Sequence, residues 1–489
     1  MSDSASSEDF PSPPTVDIFY LTFNAGKDFI SSTVFGNHVY NAFKESNVGT
    51  TFLPELVAFS LQELAPIADA FRGGYWLNPY VACYEAALNH ATAKYIADEG
   101  RRDHRNGNVS HVSPRPYTLV KSCNVGMTGI MLFAQDPTAV SNVQMAETGF
   151  GAGDMANKGA VGLRLDFEKD NKTTELTFVS THLAAMEWNL ERRNKNWASV
   201  VSTLVFGDPK KIVAADESRH RSDGVFSEDQ PLLFHSDTEK QLHDISIYKP
   251  GSHLFVAGDL NYRISQTTPP ENAVFPELDP DSPHHYSRFL ARDQLMLQQY
   301  QGNTLHGLSE AQIDFPPTYK LDIKDKKSGS RSRFSRDAED DEVDWTFATH
   351  RWPGWCDRVL YMEVPLSKKN PKPEEYKIKV LKYDCLPPVR TSDHRAVYLR
   401  LRVPVLSTEE LTPPSDSQYT APGNIVDPRI QLPLAIEPEA WQHRMAVKKW
   451  EHFIGWSMAI GQSKQTILIA STLLLLGISS WYYRSRTAS

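Results

Sequence analysis

Short apolar runs recur along residues 16–403 and are separated by polar or turn-forming segments. Each run is rich in Val, Ile, Leu, Phe or Thr, which is typical of strands in a packed sheet. Strands are predicted at residues 16–24, 56–63, 129–133, 159–167, 176–182, 253–259, 357–362 and 394–403. Helical spacing of apolar residues predicts helices at 82–97, 187–205 and 288–300. The strands outnumber the helices and their connections are uneven, which favours a mixed α/β domain over a regular βαβ repeat.

Four segments depart from this pattern. Residues 1–14 are rich in Ser, Asp, Glu and Pro, and we expect a disordered N-terminus there rather than a signal peptide. Residues 99–115 are polar with mixed charge, and residues 324–343 join a basic block to an acidic one. Both are interpreted as surface insertions, although the basic block also suits contact with anionic lipid. Residues 404–437 contain many prolines without periodicity and are predicted to be a linker.

The C-terminal region is apolar in a different way. Residues 465–483 include no charged residue, and as a helix they would extend about 28 Å, close to the thickness of a thin bilayer core. We therefore predict a transmembrane tail anchor, with a buried core helix as the alternative. Residues 438–464 have apolar and basic side chains at roughly helical spacing. This amphipathic juxtamembrane segment either lies in the membrane interface or packs against the preceding domain.

Composition narrows the possible functions. The 489 residues are 23% charged with a formal net charge of −9, which is ordinary for a globular protein and argues against a nucleic-acid partner. The four cysteines (Cys83, Cys123, Cys356 and Cys385) include no CxxC pair. Neither a zinc site nor a disulfide framework is therefore indicated.

Polar residues with catalytic potential follow several of the predicted strands. They are Asn24, Gln62 and Glu63, Thr181 and His182, Asp259 and Asn261, Asp357, and Asp393 and His394. One such position would be an ordinary turn cap, but many clusters of carboxylate, amide and imidazole groups predict one shared cleft. Oxygen ligands without cysteine suit a hard cation such as Mg²⁺.

The sequence around these residues resembles the inositol polyphosphate 5-phosphatase family. The similar segments are 258–263 (GDLNYR), 353–360 (PGWCDRVL), 392–397 (SDHRAV), 181–185 (THLAA) with 191–194 (ERRN), 157–161 (NKGAV) and 317–320 (PTYK). They occur in the family's order over about residues 16–403. Ala257, Gly354 and Ala396 depart from the usual family residues without removing a titratable group.

The resemblance implies a fold and a set of roles. The fold is the DNase I-like four-layer α/β sandwich, in which two mixed β-sheets pack together and helices flank them. Glu63 and Asn24 would bind Mg²⁺, and Asp259 would orient and deprotonate the attacking water. Asn261 would hold the scissile phosphate or the water, and His182 and the His394–Asp357 pair would face the phosphoryl oxygens. Asp393 would lie near the metal, and Arg193 and Asn194 near the phosphate. Lys158, Tyr319 and Lys320 would bind a 4-phosphate.

The predicted activity is Mg²⁺-dependent hydrolysis of the 5-phosphate of phosphatidylinositol 4,5-bisphosphate, giving the 4-phosphate. Phosphoryl transfer mainly needs a positioned water and positive charge on the phosphoryl oxygens, which a metal and two cationic imidazoles would supply. The arrangement is similar to fungal family members with a hydrophobic tail for the endoplasmic reticulum, so we expect that membrane, with the mitochondrial outer membrane as the alternative. Rival functions are an inactive phosphoinositide-binding membrane tether and another phosphodiesterase of the superfamily.

Overall fold

The computed structural model describes residues 12–47, 52–106, 116–222, 230–324, 343–365, 373–413, 420–421 and 425–462. Its strands are β1 (Thr15–Asn24), β2 (Leu56–Gln62), β3 (Thr118–Val125), β4 (Thr128–Ala134), β5 (Val140–Gly149), β6 (Gly159–Lys169), β7 (Lys172–His182), β8 (Ser252–Asp259), β9 (Leu308–Glu310), β10 (Leu321–Ile323), β11 (Trp345–Phe347), β12 (Asp357–Met362), β13 (Lys379–Cys385), β14 (Val397–Pro404), β15 (Thr420–Ala421) and β16 (Ile425–Val426).

Helices connect these strands. They are α1 (Ser32–Glu45), α2 (Ile67–Arg72), α3 (Asn78–Asn106), α4 (Leu190–Thr203), α5 (Pro209–Ser222), α6 (Gln230–Asp244), α7 (Gln294–Tyr300), α8 (Thr408–Leu411) and α9 (Ala440–Gln462). Local capping explains some of their starts: the side chain of Asp293, for example, accepts a hydrogen bond from the Met296 N–H at the start of α7.

Two six-stranded mixed sheets form the centre of the molecule. The first has the order β13-β14-β1-β2-β4-β3, and the second has the order β5-β6-β7-β8-β12-β9. Each contains one parallel pair, β1 with β2 and β7 with β8, among antiparallel neighbours. The predicted pair of mixed sheets is therefore confirmed.

Alternation along the strands builds a layered core. In β1, Ile18 and Tyr20 face the second sheet and pack in one cluster with Phe178 of β7. The intervening Phe19 and Leu21 pack instead against α1 and α3. On the far side of the second sheet, side chains of β7 and β8 pack against α4. Buried residues thus alternate between the space between the sheets and the helices outside them, giving helix, sheet, sheet and helix layers.

Strand register brings several polar strand ends together. Asn24 at the end of β1 pairs with Gln62 at the end of β2. In the second sheet Asp259 is the register partner of both His182 in β7 and Asp357 in β12. These polar strand ends therefore lie together at one edge of the two sheets, which we call the catalytic edge.

Several boundaries differ from the sequence predictions. Helix α3 continues to Asn106, so the first half of the predicted 99–115 insertion is helical. The strand predicted at 394–403 begins only at Val397, because residues before it form a turn that holds His394. The second insertion lies almost wholly outside the described residues, as do residues 1–11.

The segment predicted to be a linker is partly folded onto the domain. Val405 and Leu406 are fully buried, Leu411 is nearly so, and Asp427 forms a buried ion pair with Arg429. Beyond it, α9 packs against α2 and against β5, which is the second of the two arrangements considered for residues 438–464.

The predicted anchor at 465–483 lies outside the described residues. Among the helices that are described, none combines the length and the apolar character needed to cross a bilayer.

Candidate active site

Asp259 lies at the centre of the polar cluster on the catalytic edge. It ends β8 and is 1% exposed. The preceding Gly258 lies within the strand, and a Cβ there would be 1.9 Å from the carbonyl oxygen of Thr181. Glycine is therefore required because β7 and β8 approach too closely at this register for any side chain.

The Asp259 carboxylate collects hydrogen bonds from three elements. Its Oδ2 accepts from Asn24 Nδ2 at 2.9 Å and lies 3.2 Å from His182 Nε2. Its Oδ1 accepts from the backbone N–H of Asn261 at 3.1 Å. Burial by itself raises the pKa of Asp259, but the His394 cation, the hydrogen bond from His182 and the Lys158 ammonium outweigh it, so that the pKa is lowered. Asp259 is therefore an anion held by donors.

His394 and Asp357 form a buried pair beside this carboxylate. His394 Nδ1 donates to Asp357 Oδ2 at 2.9 Å, and Thr318 Oγ1 donates to the same oxygen at 2.7 Å. Burial lowers the pKa of His394, but the anions Asp357 and Asp259 outweigh burial and raise the pKa to about 9. Burial raises the pKa of Asp357 to about 6. His394 is thus a cation whose Nε2 lies 3.5 Å from Asn24 Nδ2 and 3.9 Å from oxygens of both Asp259 and Asp393.

The other imidazole beside Asp259, that of His182, is uncharged near neutral pH. Burial and the nearby Lys158 ammonium lower the pKa of His182. Lys158 itself lies in contact with His182 Nε2, and burial lowers the pKa of Lys158 to about 8. The structure therefore gives one cationic imidazole, that of His394, where the sequence analysis predicted two. The second positive charge at this point comes from Lys158.

Glu63 and Asn24 lie side by side after β2 and at the end of β1. Glu63 has a backbone φ of 48°, a left-handed conformation that is unusual for glutamate and is found mainly where function imposes it. Its carboxylate pairs with Lys27 at 2.9 Å. Burial opposes ionisation of Glu63, but nearby positive charge, including the hydrogen-bonded Lys27 ammonium and Lys158, lowers its pKa. Ser392 Oγ donates to the Asn24 carbonyl at 2.6 Å and fixes that strand end.

These groups suit a divalent cation. Carboxylate oxygens of Asp259 and Asp357 and a ring nitrogen of His394 lie within 4.8 Å of one another. However, His394 Nδ1 and Asp357 Oδ2 already bind each other, and Asn24 Oδ1 beside Asp259 accepts the Gly26 N–H at 3.2 Å. The metal ligands implied by the resemblance, Glu63 and Asn24, therefore stay a prediction. Oxygen donors without sulfur favour a hard cation. Among described atoms, the other Asp357 oxygen is buried without a hydrogen-bond partner.

Tyr319 and Lys320 lie at the open side of the cluster. The Tyr319 ring is 4.5 Å from the His394 ring, and Lys320 Nζ pairs with the Asp393 carboxylate. Backbone hydrogen bonds from Leu321 N to Asp393 O, at 2.9 Å, and from Arg395 N to Thr318 O, at 2.9 Å, join the two segments. The partly exposed Lys320 ammonium is therefore held beside His394.

Asn261 is positioned by Arg263, which the sequence analysis did not single out. Asn261 has a φ of 57°, and its Nδ2 donates to the Leu183 carbonyl at 3.1 Å. The buried Arg263 donates from Nε to the Asn261 carbonyl at 3.1 Å and from Nη2 to Asn261 Oδ1 at 2.5 Å. Because Oδ1 faces Arg263, the second hydrogen on Nδ2 remains for a substrate oxygen.

Arg193 and Asn194 are placed differently from the prediction. The fully buried Arg193 guanidinium donates to the carbonyls of Ala184, Met186 and Glu187 and to Gln294 Oε1. Asn194 bonds to Tyr262 and Gln298. Neither has a hydrogen bond to the Asp259 cluster within the described residues. They shape the loop after His182, and their predicted role near the phosphate stays a prediction.

The remaining residues missed by sequence reasoning are Lys27, Thr318 and Ser392. Thr318 and Ser392 lie inside segments already noted for their neighbours, and a hydroxyl beside a catalytic Asp or His is a usable signal. Lys27 has no such signal, because its contact with Glu63 arises only when β1 and β2 pair.

Comparison with protein families gives one match over most of the chain. The profile described as Endonuclease/Exonuclease/phosphatase family 2 matches residues 21–400. This interval includes every residue of the cluster described above.

Individual relatives are more distant. The chain is 27% identical over 258 residues to phosphatidylinositol 3,4,5-trisphosphate 5-phosphatase 1 of Rattus norvegicus, covering 52% of this chain and 17% of that protein. It is 26% identical over 319 residues to phosphatidylinositol 3,4,5-trisphosphate 5-phosphatase 2 of Homo sapiens. That match covers 62% of this chain and 20% of the human protein. The chain thus spans about a fifth or less of the length of these curated relatives.

A solved structure is similar in arrangement. It is the inositol polyphosphate 5-phosphatase domain of SPsynaptojanin, in complex with inositol (1,4)-bisphosphate and calcium ion. The identity is 19%, the TM-score is 0.48, and the match covers 94% of this chain and 93% of that one.

Proposed function

Since the chain belongs to the Endonuclease/Exonuclease/phosphatase family 2, we propose that it is a phosphatase that removes the 5-phosphate from phosphoinositides. The preferred substrate in this proposal is phosphatidylinositol 4,5-bisphosphate, and the product is the 4-phosphate. One observation carries the proposal: a buried Asp259 anion accepts a hydrogen bond from Asn24 and lies 3.9 Å from the cationic His394 ring. Such a cluster offers a water-orienting carboxylate and positive charge at one point.

Asp259 orients the attacking water in this mechanism. Its lowered pKa makes it a weak base, so we assign it chiefly the task of holding the water in line with the scissile bond. A loose phosphoryl-transfer transition state needs little proton removal before attack, which is compatible with a weak base. The water oxygen bonds to phosphorus while the bond to the inositol oxygen breaks. A proton lost by the water ends on that oxygen, so the products are the inositol hydroxyl and inorganic phosphate.

His394 and Asn261 act on the phosphoryl group. The His394 cation, kept charged by Asp357, neutralises oxygens that gain negative charge in the transition state. Asn261 supplies its second amide hydrogen to the same group. A bound Mg²⁺ would be held by Glu63 and Asn24, with Asp259 and Asp393 nearby, and supplies Lewis-acid stabilisation of the phosphoryl oxygens.

Two ammonium groups are proposed to contact different phosphates of the substrate. Lys320, at the open side beside Tyr319, is the better candidate for the 4-phosphate. Lys158 was predicted to share that task, but it lies deeper, against His182, and is better placed to contact the scissile phosphate. The relatives named for a 3,4,5-trisphosphate make that lipid the main competing substrate.

The chain is further proposed to be held on the cytosolic face of the endoplasmic reticulum by residues 465–483. The uncharged sequence of that segment supports this, and Arg484 and Arg486 beyond it keep the mitochondrial outer membrane as the alternative. Placing arginine at Leu474 and Leu475 should release the full-length chain from membranes under alkaline extraction. Retention of that variant would contradict the proposal.

Phosphate release by the purified full-length chain tests the activity. We expect Mg²⁺-dependent release from phosphatidylinositol 4,5-bisphosphate in vesicles, and Asp259→Asn should lower it by about a thousandfold. Asp314→Asn, at an exposed position, is the matched control and should leave the rate unchanged. Lipid binding without phosphate release would support the rival tether, whereas cleavage of a diester with no monoester hydrolysis would support another activity of the superfamily.

A further inference from the structure

Helix α9 is fixed to two loops that carry catalytic side chains. The Glu451 carboxylate accepts the backbone N–H of Ala156 at 2.7 Å, two residues before Lys158. Gly455 packs so closely on α2, which follows Glu63, that a Cβ there would lie 2.9 Å from Phe71 Cβ and 3.1 Å from Arg72 N. The second half of α9 therefore lies at the catalytic edge.

Buried charges hold the inner side of this helix. Arg444 pairs with Glu451 of α9 and with Glu147 of β5, and Arg444 and Glu451 are both nearly inaccessible to solvent. If the helix moved away, the buried Arg444–Glu451 pair would lose its ion pair with Glu147 and its hydrogen bond from the Ala156 N–H, which leaves buried charge unpaired. The orientation of α9 relative to the cleft is thus set by specific interactions.

The outer side of the same helix is apolar and exposed. Trp450, Phe453, Trp456 and Ile460 are 65%, 64%, 48% and 43% exposed. At about 100° per residue these positions fall within about a third of the helix circumference, opposite the buried Glu451 and Gly455.

The 3₁₀ turn after α2 extends this apolar side. The Trp76 ring lies 5.7 Å from Trp456, and Tyr75, which is 76% exposed, lies 5.8 Å from Trp76. We call these two residues, together with Trp450, Phe453, Trp456 and Ile460, the aromatic face. The rings of Trp450 and Phe453 are 6.1 Å apart, and the Arg72 guanidinium lies 3.7 Å from the Trp76 ring. An exposed cluster of large apolar side chains of this kind favours an interaction site over ordinary surface.

We propose that the aromatic face docks on a lipid bilayer and holds the cleft against it. The inference rests on the proposed function, because a phosphoinositide headgroup is presented at a bilayer surface. Trp and Tyr concentrate at the membrane interface, where their rings are partly apolar and their N–H or O–H groups reach water. The exposed Lys449 adds positive charge suited to anionic lipid.

The order of the chain supports a bilayer as the occupant. The end of α9 at the catalytic edge is also the end that leads into the uncharged residues 465–483. If that segment inserts in a bilayer, the aromatic face is the nearest described surface to it along the chain. Docking through the aromatic face then determines which way the cleft points, which a flexible attachment alone does not.

Lipid photolabelling tests the contact directly. The full-length chain is reconstituted in vesicles of phosphatidylcholine and phosphatidylserine that contain a phosphatidylcholine with a diazirine in its acyl chain. After irradiation, mass spectrometry should find lipid adducts on the peptide spanning Trp450 and Ile460. Adducts absent from this peptide, or crosslinks from it to a second copy of the chain, would overturn the proposal.

A pair of activity measurements separates docking from catalysis. The double variant Trp450→Ser with Phe453→Ser should hydrolyse phosphatidylinositol 4,5-bisphosphate in vesicles about tenfold more slowly than the wild type. Its rate on the soluble inositol 1,4,5-trisphosphate headgroup should be unchanged, which also reports that the fold is intact. Tyr300→Ser, on an 83% exposed aromatic residue at the end of α7, is the control and should affect neither rate.

The outcomes distinguish this inference from the proposed function. Equal loss of both rates in the double variant, or no loss in either, would refute docking through the aromatic face. If the wild type hydrolyses neither substrate, the proposed function fails, and the photolabelling result still decides whether the surface contacts lipid.

Discussion

Single residues in this protein have roles that depend on their buried neighbours more than on their type. His182 and His394 are both imidazoles beside Asp259, yet burial and Lys158 lower the pKa of His182, whereas Asp357 and Asp259 raise that of His394. A sequence identifies both as candidates but contains no distances, so it does not predict which one is charged. The sequence therefore named most of the polar side chains that lie around Asp259, although Arg193 and Asn194 lie apart from them. The distribution of charge among these side chains required the structure.

The charge on His394 leads to a prediction about pH. Asp357→Asn removes the anion that raises the pKa of His394, so this pKa should fall from about 9 by about one unit or more. Loss of activity at alkaline pH, which accompanies deprotonation of His394, should move to lower pH by the same amount. The measurement is kcat/KM against pH with Mg²⁺ present. If the alkaline limb of the pH profile stays in place in Asp357→Asn, a group other than His394 controls it. The control variant Asp314→Asn should leave the profile unchanged.

Arg263 supports a second residue-scale prediction. Arg263→Lys keeps the charge but loses the paired hydrogen bonds that fix the Asn261 amide, because an ammonium has no planar fork. We expect kcat to fall by about a hundredfold, the scale on which one oxyanion donor acts, with a smaller change in KM. Steady-state kinetics at saturating Mg²⁺ measure this. Arg288→Lys, at an exposed position, is the control, and a pure KM effect would contradict the assigned role.

Lys320 is predicted to distinguish substrates by the 4-phosphate. Lys320→Ala should lower turnover of phosphatidylinositol 4,5-bisphosphate by about tenfold more than turnover of phosphatidylinositol 5-phosphate, because a charge-assisted hydrogen bond is lost only with the first. Removing Lys320 also removes its ion pair with Asp393, but this loss is the same for both substrates and cancels in the comparison. Lys324→Ala, four residues further on, is the matched control. Equal losses on the two lipids would refute this assignment.

At the scale of elements, the burial of a strand determines how closely its bounds could be predicted from the sequence. Strands β1, β2, β7, β8 and β12 are buried on most or all positions, so their apolar runs stand out and their bounds were predicted closely. The edge or near-edge strands β3, β5 and β13 mix buried and exposed positions and were missed. Helix α9 has an apolar outer side and a charged, buried inner side, which explains why its sequence left two arrangements open.

The close approach of β7 and β8 gives a prediction for an element. Gly258→Ala would place a Cβ 1.9 Å from the Thr181 carbonyl, so the two strands must separate. We expect a loss of about 1–3 kcal/mol in the free energy of unfolding, together with a strong loss of activity because Asp259 and His182 shift apart. Denaturant unfolding and phosphate release measure the two effects. Gly461→Ala, where a Cβ meets nothing within 4 Å, is the control and should be neutral or slightly stabilising.

At the scale of the whole molecule, the two sheets contribute different parts of the site. The first sheet supplies Asn24 and leads into Glu63 and His394, and the second supplies His182, Asp259 and Asp357. These side chains meet only while the two sheets are packed, so they lie close together in the native state and far apart in the unfolded chain. A cation bound at the cleft should therefore act as a ligand of the native state alone.

This coupling predicts that Mg²⁺ stabilises the protein. Binding to the native state alone adds RT ln(1 + [Mg²⁺]/Kd) to the free energy of unfolding, which is about 2.7 kcal/mol at a hundred times Kd. Thermal unfolding of the purified chain should thus show a Tm that rises with Mg²⁺ and returns on chelation. Glu63→Gln should abolish most of the rise, because it removes the carboxylate predicted to bind the metal, whereas Glu168→Gln at an exposed position of β6 should retain it. An equal rise in both variants would place the cation elsewhere and remove Glu63 from the metal site.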